Sequence, residues 1–144
     1  MNETMSNSVP TAEEGIISAK SGNKYQYMIR FPKHIREIID RNNAKGGYFS
    51  AQIAEQLKNN WCAYVKVPKG HPMFGLALIQ LEDSGWAWEF PVEIVELSWA
   101  DHLDKDEEFW YFGWNYDRIQ CPINQSDIID DITQVIDWVD SYSK

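Results

Sequence analysis

"FWYFGWNYDR" (109–118) packs six aromatic side chains into residues 109–116, and how it is read decides the fold. Aromatic residues favour strands, and a strand sends successive side chains to opposite faces. Trp110, Phe112, Trp114 and Tyr116 then share one face, which is apolar enough to be core. Phe109, Tyr111, Gly113 and Asn115 share the other. A glycine inside a strand marks a bulge or a place where another group comes close. This second face is either covered by a helix or left as a floor. Such a floor could stack a flat ring and hydrogen-bond its edge.

The flanking segments decide what sheet this strand joins. "KYQYMIRF" (24–31) and "WCAYVKVP" (61–68) alternate as half-buried strands. A further strand is expected at 92–97, and 101–108 reads as a charged connection. Pro32 opens a helix with Ile35, Ile38 and Ile39 on one stripe. A short helix is expected after Ser50, with Ile53, Ala54 and Leu57 inward, and 73–81 is ambiguous between strand and helix. At the end, Ile128, Ile129, Ile132, Val135, Ile136 and Val139 form one apolar helical stripe. Strands buried on one side with short connections predict an α+β fold. An antiparallel sheet packs against the C-terminal amphipathic helix and one or two shorter helices. Residues 1–23 are polar and predict a flexible tail, leaving 24–144 as a single domain.

The chain has 144 residues and a formal net charge of −9, so nucleic acid and anionic membranes are not expected partners. The charge is unevenly placed: residues 1–81 carry 10 basic and 6 acidic side chains, residues 82–144 carry 3 and 16. Asp130, Asp131 and Asp137 on the last helix are the expected acidic partner surface. No apolar run approaches a membrane span, and the first residues lack the pattern of a secretory signal. The expected compartment is therefore the cytoplasm, with Cys62 and Cys121 reduced. Seven tryptophans call for a large core or an interface, which makes a homo-oligomer a natural expectation.

The residues offer few reactive groups. His34, His71 and His102 have no ligand spacing, and neither C-x-x-C nor H-E-x-x-H occurs, so neither metal nor cofactor is expected. Cys62 lies mid-strand, where it reads as a small core residue. Lys69, Gly70 and His71 form a turn that could present donors to an anion. A binding site is expected from Tyr64, Lys69, Gly70, His71, Tyr111, Gly113, Asn115 and Arg118. If the protein were an enzyme, His71 and Asp117 would be its acid–base pair.

Two stretches, "WCAYVKVPKGHPMFG" (61–75) and "WYFGWNYD" (110–117), are followed by the acidic terminal helix. Together they resemble a family of small phage and prophage proteins. Its members carry W-x-x-Y-V-x-V-P-x-G-H-P-x-[YF]-G, then a His-Gly-Gly strand, then W-[WY]-F-G-[FW]-D with a later histidine. The resemblance covers roughly residues 61–139. Glu96 and Ser98 stand about where His-Gly-Gly would fall, Asn115 replaces the aspartate, and Arg118 lies near the later histidine. These departures remove groups that chemistry would need. The resemblance implies a mobile-element context, in which the expected role is that of a non-enzymatic accessory protein that binds and inhibits a host defence protein. The alternative is a pocket near 68–72 and 111–118 that sequesters or hydrolyses a small nucleotide-like metabolite.

Overall fold

The computed structural model describes residues 12–44, 60–92, 95–117 and 125–143. Its elements in chain order are β1 (Glu13–Ser18), β2 (Lys24–Arg30), α1 (Lys33–Ala44), β3 (Cys62–Pro68), α2 (Leu78–Ser84), a 3-10 turn (Trp86–Glu89), β4 (Trp99–Leu103), β5 (Asp106–Asn115) and α3 (Gln125–Asp140). The strands form one antiparallel sheet in the order β1-β2-β3-β5-β4. The fold is α+β, as the alternating strands and terminal amphipathic helix predict. The expected helix after Ser50 lies outside the described residues.

One sheet face carries the core. Tyr25, Tyr27 and Ile29 of β2, Ala63, Val65 and Val67 of β3, and Phe112 and Trp114 of β5 are buried there. Trp61 and Tyr116, which flank β3 and β5, are buried with them. The stripe of α3 meets this face: Ile128, Ile132, Val135, Ile136 and Val139 are fully buried. Trp61 stacks on Phe31 with ring centroids 4.1 Å apart. Trp114 and Trp138 are also buried, and Trp86 and Trp110 pack against the same core. One core therefore takes up most of the tryptophan that suggested an interface.

Three sequence expectations are corrected. Residues 13–18 are not tail: Glu13–Ser18 form edge strand β1. The turn that closes this hairpin is specific. Gly22 has φ 99°, its N–H bonds Ala19 O at 2.9 Å, and Ala19 N–H bonds Asn23 O at 2.7 Å. This is a type I turn ended by a left-handed glycine, a frequent three-residue hairpin loop. Second, 95–98 is not strand, and the fourth strand begins at Trp99. Third, 101–108 is not a connection but a hairpin. Asp104 and Lys105, with φ 56° and 68°, turn β4 into β5. A two-residue hairpin loop with both φ positive matches the right-handed twist of the strands. Asp-Lys is a weak signal for it, because lysine rarely adopts that conformation.

A fork of two hydrogen bonds anchors this hairpin. Arg30 donates to Asp104 at 2.5 and 3.1 Å. The hydrogen bond from Arg30 holds the Asp104 carboxyl below its ordinary pKa. Its side chain is 56% exposed, so the pair contributes less than about 1 kcal/mol. Asp104→Asn, which keeps a side chain that tolerates positive φ, is expected to cost that much at neutral pH. A lowered folded pKa means the stabilisation is complete above the ordinary aspartate value of about 3.9 and is lost as pH falls through the lower one. Urea titrations of wild type and variant should therefore differ at pH 7, and the gap should narrow as pH falls below the ordinary aspartate value.

Candidate functional site

α3 contacts β3 and β1 from the core side, and on the second face Arg36 of α1 reaches a cavity whose lining includes Glu14, Met28, Arg30 and Asp104. Register places one row of this face across all five strands: Glu14, Met28, Tyr64, Gly113 and Trp99. A second row runs beside it. Ile16 pairs with Gln26, Lys66 pairs with Tyr111, and Tyr111 pairs with Asp101. The two parts of this second row meet because Lys66 Nζ donates to Gln26 Oε1 at 3.4 Å.

Gly113 is covered from within its own sheet. The ring of Tyr64, its neighbour on β3, lies over it. A Cβ at position 113 would stand 2.5 Å from Tyr64 Cδ1 and 2.6 Å from Cε1. Gly15 repeats the arrangement on the core face beneath Tyr27, at 2.8 Å. Tyr64 meets Tyr111 edge-on, with centroids 6.3 Å apart. Arg30 lies over the Tyr64 ring at 5.7 Å, and Lys66 lies over Phe109 and Tyr111 at 5.1 and 5.4 Å. Met28, Leu103 and Tyr111 are buried beneath these side chains as a small second cluster. This face is thus a thin aromatic layer lidded by two long cations. Trp99 is 39% exposed and Ile16 is 64% exposed.

Tyr111 donates to Asp106 Oδ2 at 2.6 Å, which keeps the Asp106 carboxyl below its usual pKa. Burial pushes the Tyr64 phenol up to about 12. Burial likewise raises the Cys62 thiol, so it is poorly suited to act as a nucleophile.

The remaining expected site residues lie elsewhere. Tyr64, Tyr111, Gly113 and Asn115 share the second face, but Lys69, Gly70 and His71 sit beyond the end of β3. The cavity at that turn, about 450 Å³, is lined by Asn23, Lys24, Tyr25 and Ser143 together with residues 68–72, and not by residues 111–117. The expected shared pocket therefore separates into two places. Lys69 is drawn to Glu108 at 3.6 Å. Arg118 lies outside the described residues.

His71 is a structural residue. Its Nδ1 accepts the Met73 N–H at 3.0 Å, which makes Nε2 the protonated nitrogen, and Nε2 donates to Val139 O at 3.1 Å. Both ring nitrogens are occupied in fastening the turn to α3. Asp117 is exposed and lies past the opposite end of the β3–β5 pair, because Cys62 faces Asn115 while Pro68 faces Phe109. Seven strand residues at about 3.4 Å each separate the two by roughly 20 Å. They cannot form an acid–base pair.

The acidic surface of α3 is also narrower than its sequence implies. Asp131 accepts from Tyr116 at 2.8 Å, and Tyr116 in turn accepts from Trp114 Nε1 at 2.8 Å. Asp137 accepts the Lys20 N–H at 2.9 Å, and Asp140 holds Asn23 and Tyr25, each at 2.8 Å. These carboxylates tie the β1–β2 hairpin and the core to the helix. Of the three expected partner residues, Asp130 is the exposed one.

Alternation missed Trp99 and Arg30. Trp99 lies beyond the strand that alternation predicts at 92–97. The signal that could have found it is the W-x-D-x-L alternation of residues 99–103.

No helix among the described residues is long and apolar enough to cross a membrane, and no three of their His, Cys, Asp or Glu side chains converge as metal ligands. Comparison with protein families, with curated proteins and with solved structures finds no match.

Proposed function

We propose that the protein acts by binding another protein through the second face of its sheet, without catalysis. The observation that carries this reading is the row Met28–Tyr64–Gly113–Trp99. It presents aromatic rings on a rigid sheet, with the partly exposed Trp99 at one end. Aromatic residues are the commonest anchors of protein interfaces, and the Arg30 and Lys66 stems can swing aside as a partner arrives. The separation of His71 from Asp117 speaks against the hydrolytic alternative. The resemblance to phage proteins makes a host defence protein the partner class, and inhibition by occlusion the mode of action.

Trp99→Ala removes the exposed ring while leaving the main core untouched. Affinity capture from a host lysate with wild type and this variant is the test. A partner held by wild type and lost with Trp99→Ala, at unchanged thermal stability, is the expected result. A partner retained equally by both sinks the assignment to this face.

A further inference from the structure

A five-stranded open sheet has two edges, and this one treats them differently. The β4 edge is blunted. It is five residues long, its register slips between Asp101 and Leu103, and Asp101 Oδ1 takes the His102 N–H at 2.7 Å. Short length, irregular register and charge are the usual protections against strand addition.

The β1 edge carries charge at its start, in Glu13 and Glu14, but its ladder is regular. Its six residues pair with β2 without a register shift and contain neither proline nor lysine. Among the described residues no strand pairs with its outer side. Antiparallel neighbours alternate between bonded and non-bonded pairs. The Ala19–Asn23 bond therefore turns the polar backbone groups of Ile17, Gly15 and Glu13 inward to β2, and those of Glu14, Ile16 and Ser18 outward. At the centre of this outward set stands Ile16, the 64% exposed aliphatic side chain.

We propose that two copies of the chain pair antiparallel through β1, about a two-fold axis at Ile16, joining two five-stranded sheets into one. Such a contact is isologous, so each favourable pair occurs twice. Ile16 meets its own counterpart. Glu14 falls opposite Ser18 of the second copy, with Lys24 on the adjoining strand. Lys20 lies two residues further on, within diagonal reach of a long side chain. The acidic start of β1 thus meets the basic end of the hairpin, which selects the antiparallel over the parallel arrangement. The dimer rests on the edge of the sheet, independently of what its second face binds.

The test is the solution mass of the full chain by sizing chromatography with light scattering. Wild type is expected at two chains. Ile16→Pro removes an outward N–H that the β1–β2 ladder does not use, and proline is tolerated on such an edge. It is expected at one chain with an unchanged far-UV circular dichroism spectrum. Ile16→Lys, a change of an exposed side chain that keeps the backbone, is expected at one chain too, and it decides the matter if the proline variant fails to fold. A wild type that stays at one chain at every concentration overturns the proposal. So does a two-chain mass retained by the folded variants.

Discussion

Gly113→Ala is expected to destabilise the protein by about 1–3 kcal/mol, the usual cost of forcing a methyl group into a filled space. The cause is packing. Gly113 does not have a left-handed φ, so its backbone would accept alanine. The added methyl would meet the Tyr64 ring at 2.5 Å and the Ala63 carbonyl oxygen at 3.1 Å. The carbonyl belongs to the backbone of β3 and has little freedom to move. The ring can retreat only by giving up its contacts with Arg30 and Tyr111. Denaturant titration measures the loss, and a second variant assigns its source. In a Tyr64→Ala background the ring is gone, so Gly113→Ala should cost at least about 0.5 kcal/mol less there. An alanine variant as stable as wild type would show that the close approach does not govern this face. The same substitution checks the binding surface, since it displaces the Tyr64 ring, which shares a row with Trp99 across Gly113.

His71→Ala is expected to cost about 1–3 kcal/mol, because the Met73 N–H loses its acceptor and the Val139 carbonyl loses one of its two donors, keeping the Tyr142 N–H. The effect should depend on pH. Burial holds the His71 pKa below the ordinary histidine value, against smaller opposing influences from the Val139 carbonyl and Asp140. Protonation would set an N–H at Nδ1 against the Met73 N–H. The folded state therefore binds its proton later than the unfolded chain as pH falls. The stabilisation is complete above the unfolded value of about 6.5 and is lost as pH drops through the lower folded one. Unfolding free energies measured from pH 8 to pH 5 should show wild type and variant converging at the acid end. A gap that stays constant or widens on acidification would contradict the hydrogen-bond assignment.

The legible and illegible parts of this chain divide along one physical line. Periodicity is local. The alternation of WCAYVKVP and FWYFGWN and the apolar stripe of 128–139 identify β3, β5 and α3, with their buried faces, from residues a few positions apart. The β4–β5 hairpin escaped the same reasoning because Asp104–Lys105 is held partly from a distance, by Arg30 on β2. β1 escaped because EEGIIS is a marginal strand by composition. It is held by pairing with β2 and by Glu13, whose carboxylate accepts from Tyr27 and Gln125.

The site divides in the same way. Strand alternation puts Tyr111, Gly113 and Asn115 on one face, and the register of β3 against β5 adds Tyr64 to it. Alternation could not show that His71 and Asp117 lie at opposite ends of the sheet, since that follows from antiparallel register between segments some forty residues apart. The sequence by itself determined the α+β class, the core stripe of α3 and the aromatic character of the central strands. Long-range pairing decides that a tyrosine covers Gly113, that α3 uses two of its carboxylates to bind the β1–β2 hairpin, and that, among the described residues, one edge strand has an irregular register and the other a regular one. Those outcomes depend on which distant strands become neighbours, and strand pairing is settled by the packing of the whole sheet.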